Sequence, residues 1–194
     1  MRILVIGATG TIGGAVAAAL AGRHDVVKAS RRGGDVQVDI SQPGAIRAMF
    51  DRVGLLDGVV NCAGAARPGP LGTLTDEDFA TSIANKLMGQ INLVRLGLAS
   101  VRDGGSFTLT SGVFSQKPSP GVPAMAMVNG AVESFGRAAA LDLPRGLRLN
   151  VVSPPWIKET ARKLGKDAPL SAAENALAYV RLVEGSDTGL VVYP

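Results

Sequence analysis

Arg2-Ile3-Leu4-Val5-Ile6-Gly7-Ala8-Thr9-Gly10-Thr11-Ile12-Gly13 runs from a short apolar segment through a glycine turn into the Ala-rich stretch Thr11–Ala21, which Gly22 breaks. A short apolar run ended by glycine reads as a strand, and the small residues after it read as a helix that can lie close against that strand. The three glycines have separate tasks at the junction. Gly7 can form the turn, Gly10 lets backbone amides approach a pyrophosphate, and Gly13 permits close packing of helix on strand. The helix N-terminus then favours the phosphate charge. Gly7, Thr9, Gly10, Thr11, Ile12 and Gly13 are therefore candidate cofactor-binding residues.

The same alternation continues outward from this turn. Asp25–Ala29 reads as a second strand, Val36–Val38 as a brief third, and Pro43–Val53 as a helix with Ser41 as its cap and Pro43 in its first turn. Leu56–Val60 leads into a fourth strand. Thr75 and Asp78 have the spacing of a capping box, and the pattern from Asp76 to about Val101 predicts one extended helix or two consecutive ones. Ser106–Thr110 is a fifth strand, Ala124–Leu143 a helix rich in small residues, and Leu147–Val152 a sixth strand. Ala172–Val183 is a further helix and Thr188–Tyr193 the last strand. Strands alternating with helices predict the α/β class and a doubly wound Rossmann fold: a seven-stranded parallel sheet of order 3-2-1-4-5-6-7, with helices on both faces.

Composition limits the alternatives. The 194 residues, 46% of them apolar, suffice for one sizeable core and are few for two, so a single domain over 1–194 is expected. Net charge is +4, but Arg and Lys are scattered without interleaved aromatics, which argues against nucleic acid as a partner. The single Cys62 rules out an internal disulfide, and with the single His24 it leaves no Cys/His cluster of metal-ligand spacing. Burial as a small hydrophobe is expected of Cys62, and a surface turn of His24. The N-terminus has no signal-peptide pattern and no apolar run approaches about 18 residues, so a cytoplasmic protein without membrane association is expected.

The second strand ends in Lys28-Ala29-Ser30-Arg31-Arg32, where a domain preferring NAD would place an acid against the ribose hydroxyls. Arg31 and Ser30 suit a 2′-phosphate instead, because a guanidinium fork pairs with phosphate oxygens and can stack beside adenine, with Arg32 in support. NADP(H) is the expected cofactor.

Further residues, in order, resemble markers of the short-chain dehydrogenase/reductase family over nearly the whole chain. Asp39 in Val38-Asp39-Ile40 resembles the family's adenine-contacting aspartate. Asn61-Cys62-Ala63-Gly64 resembles its Asn-Asn-Ala-Gly turn after the fourth strand. Asn85, ahead of Gly89, is similar to its helix asparagine, and Leu109-Thr110-Ser111 to the strand end that carries its catalytic serine. Asn150-Val151-Val152-Ser153-Pro154 resembles the exit of the sixth strand, which places Trp156 beside the nicotinamide and the Ile157 amide at the carboxamide. The resemblance implies a small-molecule substrate and a homo-oligomer, dimer or tetramer, built on the helices from Asp76 and Ala124. Gly130, Ala131, Ala138 and Ala139 would permit close helix contact there. The stretch from Pro154 to Leu170 stands where the family often has a longer lid, implying a small or open substrate pocket.

One departure is as informative as the matches. The family's Tyr-x-x-x-Lys pair is absent: alignment on Gly130-Ala131-Val132-Glu133 puts Met125 at the tyrosine position and Asn129 at the lysine position. Methionine has no proton to donate, and asparagine carries no charge to lower a neighbour's pKa. Ser111, Asn85, Asn129 and Met125 are the candidate catalytic positions, with Ser115 and Lys117 on the following loop. Such a set orients a substrate but supplies no strong acid, so reduction of a protonated imine or activated alkene is expected to outpace that of a plain ketone. An NADPH-dependent oxidoreductase acting on a small carbonyl, imine or activated alkene is the leading expectation. A non-redox NADP(H)-binding regulatory or scaffold protein and a cyclase or isomerase on the same fold stand beside it. Tyr179 and Tyr193 are expected to be packing residues.

Overall fold

In the computed structural model, which describes residues 1–163 and 165–194, seven parallel strands form one sheet of order β3-β2-β1-β4-β5-β6-β7. The strands are β1 (Arg2–Ile6), β2 (Asp25–Ser30), β3 (Val36–Gln37), β4 (Leu56–Asn61), β5 (Val101–Thr110), β6 (Arg148–Val152) and β7 (Val191–Val192). The helices are α1 (Thr11–Ala21), α2 (Pro43–Val53), α3 (Asp76–Ser82), α4 (Gly89–Gly97), α5 (Pro123–Asp142), α6 (Lys158–Arg162) and α7 (Ala172–Glu184). The expected order and parallel sense hold throughout. None of the helices is long and apolar enough to cross a membrane among the described residues.

Layering follows from where the apolar side chains point. Ile3, Leu4, Val5 and Ile6 of β1 are all completely buried, because a central parallel strand is covered on both faces. Leu4 and Ile6 join Ile46, Met49 and Phe50 of α2, Leu93 of α4 and Val132 of α5 in the core on one face. Ile3 and Val5 join Val16 and Leu20 of α1 with Tyr179 and Val183 of α7 on the other. Small residues bring the helices near: a Cβ on Gly136 of α5 would stand 2.4 Å from Val151 Cγ2 on β6.

Local departures from the sequence reading have identifiable causes. Ser41 is not the cap of α2; its hydroxyl donates to Asp39 Oδ1 at 2.7 Å, and Gln42 takes the N-cap position without a side-chain bond. The last strand shortens to Val191–Val192, since only Val151 and Val152 of β6 pair with it. The capping box of Thr75 and Asp78 is present. The helical stretch after it is not regular: Ile83–Met88 forms a π-helical segment between α3 and α4, and Leu98–Ser100 a 3₁₀ turn after α4.

A single buried carboxylate joins the carboxyl ends of β5, β6 and β7. Glu133 Oε1 on α5 accepts hydroxyl bonds from Ser111 at 2.8 Å, Ser115 at 2.6 Å and Ser153 at 2.9 Å. Its Oε2 accepts from the Tyr193 hydroxyl at 3.0 Å. Tyr193 is therefore more than the packing residue expected, because its hydroxyl completes this network from just beyond the last strand. Burial alone would raise the Glu133 carboxyl, but the four hydroxyls outweigh it and hold the group below the usual glutamate value.

A depressed carboxylate adds stability above its unfolded pKa and loses it as pH falls through the folded value. Glu133→Gln is expected to cost about 2–4 kcal/mol at pH 7, read by urea unfolding, because the hydroxyls lose a charged acceptor. The gap between wild type and variant should narrow in acid, where the wild-type carboxylate also becomes neutral. Equal stability of the two proteins at pH 7 would show that the network contributes nothing.

Candidate active site

The strand carboxyl ends and the loops that leave them enclose two adjoining cavities. One, of about 530 Å³, is lined by Gly7, Thr9, Ser30, Arg31, Arg32, Val38, Ile40, Ala63, Ala65 and Asn85. The other, of about 380 Å³, is lined by Thr11, Ile12, Gly13, Lys86, Ser111, Met125, Asn129, Pro154, Trp156 and Ile157, among others. Gly10, Cys62 and Gly64 line both, so the two form one cleft across the sheet edge.

The glycine turn stands at the middle of this cleft, and its geometry explains its composition. Gly7 has φ of 82°, and a Cβ there would come within 2.8 Å of Ala63 N in the loop after β4. A Cβ on Gly13 would stand 2.1 Å from Gly7 O, a clash no side chain relieves. Gly10 caps α1 without a side-chain bond, and the amides of Thr11, Ile12 and Gly13 donate to no group among the described residues. Three open donors at a helix N-terminus, beside a cleft with arginines at its other rim, fit a dinucleotide diphosphate.

At that rim, Arg31 and Arg32 are exposed, and neither makes an ion pair among the described residues. Ser30 differs from its expected role as a phosphate donor. Its hydroxyl is directed to Arg32 O and Gly33 O, both at 2.8 Å, so it shapes the loop that carries the arginines. Asp39 accepts from Ser41 N and Oγ through Oδ1, and these bonds hold its carboxyl below the usual aspartate range. Asn61 is buried and faces inward: its Nδ2 donates to Ala63 O at 2.7 Å and to Gln90 Oε1 at 3.0 Å. It fixes the turn that brings Cys62, Ala63 and Gly64 to the cleft. The Cys62 thiol is pushed up to about 12 by burial, so it stays protonated and is no nucleophile. His24 lies away from the cleft, against Glu184 Oε1 at 2.8 Å.

Around the second cavity the structure redistributes the expected catalytic roles. Ser111 is buried, and its hydroxyl points to Glu133 Oε1 and to Asn129 O at 3.0 Å, so its one proton is already engaged behind the cavity. Ser115 is likewise tied to Glu133, and exposed Lys117 lines neither cavity. Asn129 Nδ2 donates to Gly112 O at 3.2 Å, while Met125 lines the wall as an apolar surface. Asn85 sits in the cavity of the arginines, where its Oδ1 accepts from Ala65 N at 2.7 Å; it holds the loop after β4 and does not line the cavity of Ser111. Trp156 packs edge-on to Phe114, with ring centroids 5.9 Å apart, and closes the far side.

From the π-helical segment Lys86, which the sequence reading passed over, also lines this cavity. The π-helical turn at Ile83–Met88 shifts the helix register, and Lys86 Nζ donates to Ser111 O at 3.0 Å. Gly64, with φ of 142°, leaves the room: a Cβ there would stand 2.8 Å from Lys86 Cδ. Gln90, one turn on, donates to Lys86 O and Thr110 O, both at 2.9 Å, and anchors the segment to β5. Burial lowers the Lys86 ammonium to about 8.

Comparison with known proteins agrees with this geometry. The sequence model of the enoyl-(acyl carrier protein) reductase family matches residues 8–193. The chain is 28% identical over 159 residues to the short-chain reductase protein NovJ of Streptomyces niveus, covering 77% of this chain and 61% of that one. It is 32% identical over 144 residues to the uncharacterized oxidoreductase Mb1385 of Mycobacterium bovis, covering 68% and 58% respectively. The chain thus spans about three fifths of the length of these curated relatives. Among solved structures, the protein lin1944 of Listeria innocua superposes with a TM-score of 0.97 at 43% identity, over 100% of this chain and 98% of that one. A small-chain dehydrogenase in complex with NADPH superposes with a TM-score of 0.89 at 26% identity, over 100% and 96%. The fold, the glycine turn and these matches together place the chain in the short-chain dehydrogenase/reductase family of oxidoreductases.

Proposed function

We propose that the chain is an NADP(H)-dependent reductase or dehydrogenase acting on a small organic carbonyl, imine or activated alkene. The observation that carries this reading is the continuous cleft. One end presents unpaired arginines, the middle presents the open amides of α1, and the other end presents a polar pocket walled by Trp156 and Met125. That sequence of chemistries corresponds to a 2′-phosphate, a diphosphate and a nicotinamide beside its substrate.

Within this reading the chain's residues divide the work. The amides of Thr11, Ile12 and Gly13 hold the diphosphate, and Arg31 holds the 2′-phosphate with Arg32 beside it. Asp39 and Ile40 flank the adenine. Pro154, Trp156 and Ile157 enclose the nicotinamide. The cofactor, when bound, supplies or accepts a hydride. Ser111 and Asn129 shape the pocket floor through Glu133 and Gly112, and Trp156 with Phe114 limits water on the far side. A non-redox NADP(H)-binding role draws support from Met125 and Asn129, which stand where the family has its tyrosine and lysine.

The preference for NADP(H) rests on Arg31. A charge-assisted pair to phosphate contributes about 1.5–3 kcal/mol, so Arg31→Ala is expected to weaken NADPH binding about tenfold to hundredfold and leave NADH binding nearly unchanged. Calorimetric titration of both cofactors checks this, and equal losses would remove Arg31 from the phosphate site.

Assembly as a homo-oligomer is part of the same proposal. Ile83 and Met88 between α3 and α4, and Met127 and Leu141 on α5, are exposed large apolar residues, and Gly130 faces open space. These surfaces suit close helix contact between copies. Light scattering at micromolar concentration should give a dimer or tetramer mass; a monomer mass would refute the assembly.

A further inference from the structure

Reduction of a carbonyl needs a proton as well as a hydride, and the donors around the Ser111 cavity can be counted. The Ser111 and Ser115 hydroxyls are engaged with Glu133, and Asn129 Nδ2 with Gly112 O. The Cys62 thiol holds its proton up to about 12, Met125 has none, and the Thr11 and Thr160 hydroxyls and the Trp156 indole N–H on the cavity wall are no acids near neutral pH. Tyr179 is bound to Thr110 Oγ1 and Tyr193 to Glu133, and neither lines the cavity. Lys86 is the remaining donor. Its Nζ uses one bond on Ser111 O at 3.0 Å, and no second partner or ion pair engages it among the described residues.

Resting on the oxidoreductase reading above, we propose that Lys86 delivers the proton in this site, to the oxygen of an aldehyde or ketone substrate. The side chain is seated there by two independent features, the π-helical turn and the space left by Gly64. In the reductive direction the carbonyl carbon receives the hydride supplied by the dinucleotide and the C=O π pair moves onto oxygen. That oxygen takes a proton from Nζ: an N–H bond breaks, an O–H bond forms, and the neutral amine regains a proton from water through the open cleft. Oxidation runs the same transfers backwards, with the neutral amine as base. A substrate that needs an acid is thereby served without a tyrosine, which removes the sequence-based ground for expecting plain ketones to be disfavoured.

The groups around Nζ are compatible with this cycle. Cys62 faces it from the exit of β4 as a neutral thiol. The N-terminus of α1 faces it across the cavity and disfavours added positive charge. Glu133 on α5, behind Ser111, is taken up by four hydroxyls and by the Arg137 guanidinium at 3.9 Å, and makes no ion pair with Lys86. Beyond α6, Lys166 lies over the Trp156 ring at 5.7 Å, and Lys158 at the start of α6 pairs with Glu174. With the ammonium held near 8, the donor is charged at pH 7 and its proton is still transferable.

The test uses the full chain with NADPH and three probe carbonyls: 2,3-butanedione, benzaldehyde and cyclohexanone. Wild-type turnover should fall as pH rises through about 8, where the ammonium is lost. Lys86→Met should lower turnover about a hundredfold or more and abolish that break, with NADPH affinity retained. Lys86→Arg keeps the charge but cannot release a proton near neutral pH, so it should remain slow; full activity in Lys86→Arg would overturn proton transfer in favour of charge alone. Independently of turnover, ¹³C-dimethyl labelling of the wild-type lysines gives each a resonance that follows its titration. The Lys86 resonance, assigned by its loss in Lys86→Arg, should titrate well below the other lysines and move when NADPH is added. Titration of Lys86 with the surface lysines would overturn the proposal, and so would equal turnover in wild type and Lys86→Met. A wild type that binds NADPH yet reduces none of the three probes overturns the oxidoreductase reading and the proton transfer with it.

Discussion

The approach of Gly13 to the carbonyl of Gly7 is the contact on which the rest of the site depends. With no Cβ in the way, α1 starts directly above the end of β1, and its first amides open into the cleft. Gly7 is subject to a second constraint from the loop after β4, which crosses within 2.8 Å of where its Cβ would be. The turn therefore sets both the height of the helix above the sheet and the distance to Cys62 and Gly64. A side chain at either glycine would displace the elements that join the two cavities.

From that fixed point the polar interior works as a chain of commitments. Glu133 gathers the hydroxyls of Ser111, Ser115, Ser153 and Tyr193, so the ends of β5, β6 and β7 are tied together by one buried charge. The arrangement fixes Ser111, and Ser111 in turn offers its carbonyl to Lys86. Hydroxyls turned inward cannot serve a substrate, and the cavity is left with an ammonium as its acid. In the proposed proton transfer, positioning and proton supply, which the family joins in a tyrosine and lysine on one helix, are divided between α5 and the π-helical turn before α4.

Much of the fold was legible because its signals are local. The apolar run of β1, the glycines after it and the regular alternation that follows predict the parallel order, and the structure has that order. Asn61 was legible as a turn residue, though not that its amide reaches Gln90. Other features depend on contacts distant in sequence. Ser30 and Arg31 are adjacent, yet the hydroxyl of one turns to the loop carbonyls while the guanidinium of the other makes no ion pair among the described residues. Glu133 entered the sequence reading only as part of an alignment segment, because its partners lie 18, 20, 22 and 60 residues away. Lys86 was passed over because the π turn that seats it leaves no mark in composition.

The claim at the centre of this account is that one cleft holds a dinucleotide from Arg31 to Lys86, and a crystal structure of the chain with NADPH measures it directly. The account predicts the 2′-phosphate against the Arg31 guanidinium, the diphosphate on the amides of Thr11 to Gly13, and the nicotinamide ring in the cavity that Lys86 and Trp156 line. A dinucleotide bound with its 2′-phosphate away from Arg31, or with its nicotinamide outside that cavity, would contradict it.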